Sequence, residues 1–342
     1  MATLTASRST AHPLAATPAA PADFAALAQA APLHPFFTPA YAEAHQQLGA
    51  EPWIFTVGEP GAPSTVQFPA FMRSGRLTRT IWFPSMPPAL PASAWRELDR
   101  FLKRKRVADA AFDMFAPGGF ARHPDEWPAM LAHDASHSRV APQRGETERV
   151  RRIEFGIDLT RDDMAIWASI TRDHRERIMK ARKHGVSLQR SRDEAALERH
   201  LALHAASMER RQGRGEDVHS SIDRSEPAAL LASGAGELFE VVHEGQVVSS
   251  YLIITSAQGM YSVSSGSSPV GMQIGGSHYL QYHASMTLRG EGIAAFFTGG
   301  VREHEQGLKA FKEGFGPVSF PSIKVLTDRT GPILRTVIKL LR

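Results

Sequence analysis

Along residues 66–72, Val66, Phe68, Ala70 and Met72 fall on alternate positions, the period of a half-buried strand. Residues 53–57 and 80–83 have the same β-prone chemistry, and the proline-rich stretch 84–91 closes the second of them. Residues 92–107 change to a helical period, with Trp95, Leu98 and Leu102 on one face, before residues 110–115 return as a strand. Ahead of these, residues 24–47 read as helix broken at Pro32, Pro35 and Pro39.

A second series begins after residues 117–149, whose His, Pro, Arg and Glu content reads as a helix fragment and linker. A strand at 152–159 leads through Asp158 and Thr160, both able to cap, into helices at 162–170 and 173–184, the latter ending at Gly185. Residues 194–212 form a longer helix with Leu197, Leu201, His204 and Met208 on one side. Strands at 237–243, 246–255 and 260–264 make a meander turning at Glu244-Gly245 and Gln258-Gly259. A helix at 275–288, a strand at 293–298, a short helix, a strand at 318–325 and a last helix at 332–342 complete the chain. Strands and helices in this order mean an α/β or α+β fold.

The short helix carries the most informative side chain. Leu308, Phe311, Lys312 and Phe315 fall at i, i+3, i+4 and i+7, so Lys312 occupies a place that periodicity assigns to the interior. Two readings stay open: a stem lying on the core with its charge in water, or a catalytic or anion-stabilising lysine at the mouth of a pocket.

Composition narrows the classes. A chain of 342 residues exceeds one ordinary core, and 42% hydrophobic with 22% charged residues describes a globular protein. The absence of cysteine excludes a disulfide framework, a cysteine nucleophile and a thiolate metal site. Residues 1–22, rich in Ala, Pro, Ser and Thr, read as a disordered leader without the apolar core of a secretory signal. No stretch of 18 uninterrupted apolar residues follows, and a cytoplasmic protein is expected. His200 and His204 form an i, i+4 pair, but no third ligand is indicated, so no metal is expected.

Two segments carry a family resemblance. TRDHRERIMKARKHGV at 171–186, and FTGGV followed by GLKAFKEGFG between 297 and 316, resemble the basic run and the glycine-ended strand with its Phe-Lys helix in FemAB-type peptidyltransferases of the GNAT superfamily. The likeness extends well over residues 153–326 and only in outline over the first half. It implies two tandem GNAT-like domains, each a mixed, mostly antiparallel sheet flanked by helices, with a substrate channel between them. The expected boundaries are a degenerate N-terminal domain at 23–135, a linker at 136–151 and a C-terminal GNAT domain at 152–342. It also implies transfer of an acyl or aminoacyl group from acyl-CoA (acetyl-CoA) or aminoacyl-tRNA to an amine on a small molecule or cell-envelope precursor. Lys312 is then the electrostatic partner of the developing oxyanion, and Phe311 a wall excluding water.

Donor recognition has several candidates. Acetyl-CoA enzymes of the superfamily use an Arg/Gln-x-x-Gly-x-Gly/Ala loop; here Gln273, Gly275 and Gly276 are present, with His278 where the last small residue belongs. The basic run Arg172, Arg175, Arg177, Lys180, Arg182 and Lys183, extended by Arg210, Arg211 and Arg214, is either a solvated face or a phosphate ridge for tRNA or a nucleotide-linked precursor. His278 and His304 are candidate bases. Tyr261 either binds substrate through its hydroxyl or packs. Residues 332–342 have one apolar and one basic side, suited to peripheral membrane contact or to docking on the second domain. The alternative function is a non-catalytic GNAT-like protein binding a nucleotide or RNA.

Overall fold

In a computed structural model, the protein is described over residues 14–58, 65–87, 90–115, 145–216, 218 and 223–330. The first half contains β1 (Leu14–Pro18), α1 (Phe24–Ala30), α2 (Pro39–Gln47), β2 (Ala50–Val57), β3 (Val66–Ser74), β4 (Arg79–Phe83), α3 (Ala92–Arg104) and β5 (Val107–Asp113). The second contains β6 (Glu146–Asp158), α4 (Asp163–Ser169), α5 (Arg172–Lys183), β7 (Ser187–Ser191), α6 (Glu194–Gly213), α7 (Ser225–Ala232), β8 (Gly236–His243), β9 (Gln246–Thr255) and β10 (Gly259–Ser267). It continues with α8 (Pro269–Ile274), α9 (Gly276–Gly290), β11 (Ala295–Phe297), α10 (Gln306–Glu313) and β12 (Val318–Asp328).

All twelve strands join one sheet in the order β1-β2-β3-β4-β5-β12-β6-β11-β10-β9-β8-β7. Both halves repeat a three-strand meander, a helical crossover and a strand parallel to the meander's last: β2-β3-β4 then β5, and β8-β9-β10 then β11. The closing strand β12 fuses the halves, running antiparallel to β5 at 324–328 and to β6 at 318–327.

Alternation along the strands separates two cores. Leu252, Ile254 and Phe297 join one that runs across both halves; Ile253, Phe296 and Phe239 point to the other, beneath α5 and α9. Strands covered on both faces explain the continuous apolar run at residues 251–254 of β9 and along β11.

Several expectations shift. Residues 14–18 of the expected leader form β1, paired with β2 from Leu14↔Val57 to Pro18↔Trp53. The strand expected from 152 begins at Glu146, inside the expected linker, because β12 offers a partner over its whole length. β7, α7 and α8 carry no strong periodic signal and were not expected. The remainder of the linker and the helix at 332–342 lie outside the described residues. Among the described residues no helix is long and apolar enough to cross a membrane.

Candidate active site

The centre of the second half is a split between two parallel strands. β10 and β11 pair only from Gly259↔Ala295 to Tyr261↔Phe297. Beyond Phe297 the chain stays with β6: Thr298 N donates to Phe155 O at 2.9 Å, and Val301 bridges Ile153. β10 stays with β9, with an irregularity between Ser262 and Ser264. The strands therefore diverge, and β10 from residue 262 to 267 has no strand partner on that side among the described residues.

Lys312 enters this split from α10. Its Nζ donates to Thr298 O at 2.6 Å and Gly299 O at 2.7 Å, and the residue is 8% exposed. Burial pulls the ammonium down to about 8, although Glu154 and Glu305 pull the other way. The charge does not snorkel. It is held where backbone carbonyls at the strand end replace water.

The turn that receives it is shaped by glycine. Gly299 has φ +81°, and a Cβ there would stand 3.5 Å from Lys312 Nζ and 3.6 Å from the Tyr261 hydroxyl. A Cβ on Gly300 would come within 2.3 Å of Glu154 Oε1. Glu154 is buried on β6 and accepts from Ser322 Oγ at 3.2 Å. Burial pushes its carboxyl up, with Lys312, Arg152 and Ser322 pulling it back.

Cavities flank the split. One of about 200 Å³ lies towards the first half and is lined by Asp113, Arg152, Glu154, Tyr261, Ser322 and Lys324. It shares Trp82, Glu226 and Lys324 with a wider space of about 620 Å³ over β4, β5 and β12. The other, about 310 Å³, lies along the free part of β10 and is lined by Arg210, Arg211, Arg214, Ser267, Ser277 and Phe311. Consecutive residues of α10 thus serve both sides. Phe311 lines the arginine-rich cavity, and Lys312 reaches the strand split.

Several expected residues meet here. Tyr261 lines the 200 Å³ cavity. It packs edge-on against Phe36 and Phe115, and burial holds its hydroxyl well above the ordinary tyrosine range. Phe311 packs on His278 at 5.0 Å between ring centroids, and His278 lies 4.5 Å from His174. Burial lowers His278 to about 3, so its imidazole is neutral at pH 7. His174 Nε2 donates to Phe311 O at 2.9 Å and so fixes the helix that carries Lys312.

Other expected residues make contacts within the fold. Arg175 donates to Trp167 O and Ala168 O at 3.3 Å, capping α4. Lys180 donates to Gln273 O at 2.9 Å, tying α5 to α8. Gly275, at φ +88°, joins α8 to α9 against the α5 backbone, where a Cβ would lie 2.4 Å from Arg177 O. Gly276 is buried, and its Cβ would meet Ser249 Oγ at 2.8 Å. These glycines serve helix packing. Arg211 bridges Glu216 at 2.6 Å and Glu305 at 2.7 Å, fastening α6 to the segment before α10. His200 contacts Ser250 and Ser264 Oγ at 2.8 Å through its two ring nitrogens and belongs to a buried polar network, whereas His204 Nδ1 has no hydrogen-bond partner among the described residues.

The sequence reading passed over Arg152 and Glu154. Their signal is present: Arg152, Glu154 and Asp158 fall on one face of a strand whose other face carries Ile153, Phe155 and Ile157. Charge on alternate positions of a central strand is expensive unless it serves a site.

Comparison with known proteins bears on the fold that holds this site. Residues 168–312 match the family model of the acetyltransferase (GNAT) domain. The crystal structure of FemX superposes with a TM-score of 0.61 at 14% identity, covering 96% of this chain and 99% of that one. A tandem GNAT protein from the clavulanic acid biosynthesis pathway, solved without AcCoA, superposes with a TM-score of 0.51 at 12% identity, covering 93% and 99%. No curated protein matches the sequence. The chain therefore has the tandem GNAT fold seen in FemX, with its residues 168–312 matching the acetyltransferase (GNAT) domain.

Proposed function

We propose that this GNAT acyltransferase moves an acyl group from coenzyme A to a primary amine, with Lys312 facing the oxyanion of the tetrahedral intermediate. The observation that carries the reading is the buried Lys312 ammonium held at the β10/β11 split, between a basic cavity on one side and a carboxylate-bearing cavity on the other.

The donor's amide-bearing arm lies along the free edge of β10, where backbone groups lack a strand partner, and its phosphates lie towards Arg210, Arg211 and Arg214. Its carbonyl reaches the split. The acceptor amine approaches from the 200 Å³ cavity, neutral at the moment of attack. As the carbonyl oxygen gains charge, Lys312 meets it in low dielectric, where an ammonium stabilises an anion far more than in water. Phe311 shields the reacting carbonyl from water on the donor side.

A charged tRNA is the second donor considered. The ridge on α5 that would bind it is largely engaged within the protein: Arg172 pairs with Glu176 and Arg177 with Asp173, while Arg175 and Lys180 donate to carbonyls. Arg211 and Arg214 are paired too, with Glu216 and Glu305, so coenzyme A is favoured on Arg210, which lines the cavity along β10 without a carboxylate partner among the described residues.

Calorimetric titration with acetyl-CoA, a longer acyl-CoA and total charged tRNA tests the reading. Micromolar binding of an acyl-CoA is expected. Salt-sensitive binding of tRNA alone moves the donor to aminoacyl-tRNA, and binding without turnover of any amine favours the non-catalytic alternative.

A further inference from the structure

Arg152 and Glu154 stand two residues apart on β6, on the same face, and both line the 200 Å³ cavity. Each has a buried polar atom without a partner: Arg152 Nε has no acceptor and Glu154 Oε2 no donor, although Glu154 is only 3% exposed. Neighbouring groups do not relieve them. Lys312 is engaged by two carbonyls, and Ser322 serves only Glu154 Oε1. Asp113 accepts from Trp82 Nε1 at 2.7 Å and pairs with Lys324 at 3.6 Å. A buried orphan donor beside a buried orphan acceptor is a costly arrangement that a ligand with complementary groups completes.

We propose that Glu154 and Arg152 recognise an acceptor whose amine stands beside an oxygen, as in an α-amino acid, an aminoacyl terminus or an amino alcohol. Glu154 Oε2 receives the ammonium, and Arg152 Nε donates to the neighbouring oxygen. The inference rests on the acyl-transfer reading, and names the acceptor class of the same site. The adjoining 620 Å³ space admits the body of a larger molecule bearing that terminus.

In the reaction the ammonium passes one proton to Glu154, and the freed amine attacks the acyl carbonyl. The C–N bond forms, and the oxyanion faces Lys312. Its collapse breaks the bond from the acyl carbon to the donor sulfur, and the second nitrogen proton leaves with the thiol. Glu154 then releases its proton to solvent. The carboxyl is set for this by its surroundings: burial and Asp113 on β5 raise its proton affinity, while Lys312 on α10 and Arg152 on its own strand keep it ionisable. Tyr261 on β10, Lys324 on β12 and Glu226 at the start of α7 complete the polar lining.

The test uses the full chain with glycinamide, ethanolamine and n-propylamine as probes. Binding is followed by ligand-observed NMR, and acetyl transfer from acetyl-CoA by mass spectrometry across pH. Glycinamide and ethanolamine should bind at least about tenfold more tightly than n-propylamine, the scale of one charge-assisted hydrogen bond. Arg152→Met should erase that preference. Glu154→Gln should lower turnover about 100-fold and flatten the acid limb of the pH profile. Equal binding of all probes by the wild type, or a preference kept in Arg152→Met, overturns the proposal. Because Arg152 is half-buried, its replacement keeps the proposal testable even where Glu154→Gln fails to fold. Recognition through the pair without acetyl transfer would sink the function and leave the site; transfer unaffected in Glu154→Gln would do the reverse.

Discussion

The two halves repeat one succession of strands, yet their parallel pairs behave differently. In the first half β4 pairs with β5 to its last residue, Phe83↔Phe112, and the closure continues as Met86 N donates to Asp113 O at 2.8 Å. β5 is also held from the far side, where Met114 N donates to Ile323 O. In the second half β11 leaves β10 after three residue pairs because its continuation is held by β6 alone. One parallel pair stays together to the end of β4, and the other is drawn apart by β9 on one side and β6 on the other. The open pair receives Lys312. The closed one is filled by Phe83 stacked on Phe112 at 5.0 Å.

The sharpest way to break this comparison is to remove what fills the open split. Lys312→Ala should reduce transfer by about 10²- to 10³-fold, the usual loss when one oxyanion donor is deleted. It also leaves the Thr298 and Gly299 carbonyls without their donor, so a moderate fall in thermal midpoint is expected, partly offset by removal of a buried charge. Transfer at the wild-type rate would detach Lys312 from the chemistry.

Opening the closed pair should act on stability instead. Phe83→Ala removes a fully buried ring from the first-half core and should cost about 3–5 kcal/mol. Denaturant unfolding measures that loss, and turnover per folded molecule should stay near wild type. A turnover collapse in well-folded protein would show that the first half does more than line the acceptor cavity.

Proton linkage sharpens the contrast further. The folded pKa of Lys312 is depressed to about 8 from an unfolded value near 10.5. Between these values the unfolded chain binds more protons at this site than the folded one, so this group makes stability rise with pH. Transfer needs the ammonium and should fall as pH rises through about 8. Activity and this part of the stability thus move in opposite directions over one window. A Lys312→Met protein should lose the alkaline rise in unfolding free energy relative to wild type; an identical pH dependence would place the titration elsewhere.

Local periodicity revealed those features whose partners lie nearby in sequence. Lys312 stood out because helical spacing alone placed a charge among Leu308, Phe311 and Phe315. The meander of β8, β9 and β10 was legible from its alternation and turns. What escaped depends on distant strands. β1 and β7 are short segments of small or polar residues that become strands because β2 and β8 offer them open edges. β12 was read as a strand, but nothing within it states that its two neighbours belong to different halves of the chain. Glu154 fits the same pattern: its burial follows from β12 and β11 lying on either side of β6. Gly275 and Gly276 were legible as a glycine turn before a helix, but the α5 backbone and Ser249 that require glycine there come from distant parts of the chain.

The smallest effect concerns the basic helix, where the ridge and the packing readings diverge. Arg175→Ala with Lys180→Ala removes a cap on α4 and a tie from α5 to Gln273, the first from a half-buried and the second from an exposed side chain. Surface contacts of this kind contribute about 0–1 kcal/mol each, so the thermal midpoint should fall slightly. Acyl-CoA affinity and its salt dependence should hardly change, because neither side chain lines the arginine-rich cavity along β10. Arg210 is the internal control: it lines that cavity, donates to Ser207 Oγ at 2.9 Å and also to Ser267 O, and has no carboxylate partner within ion-pair distance among the described residues. Arg210→Met should weaken acyl-CoA binding and reduce its salt dependence. A donor affinity lost in the double variant and kept in Arg210→Met would move the donor's phosphates from the cavity to α5 and reverse the choice between coenzyme A and tRNA.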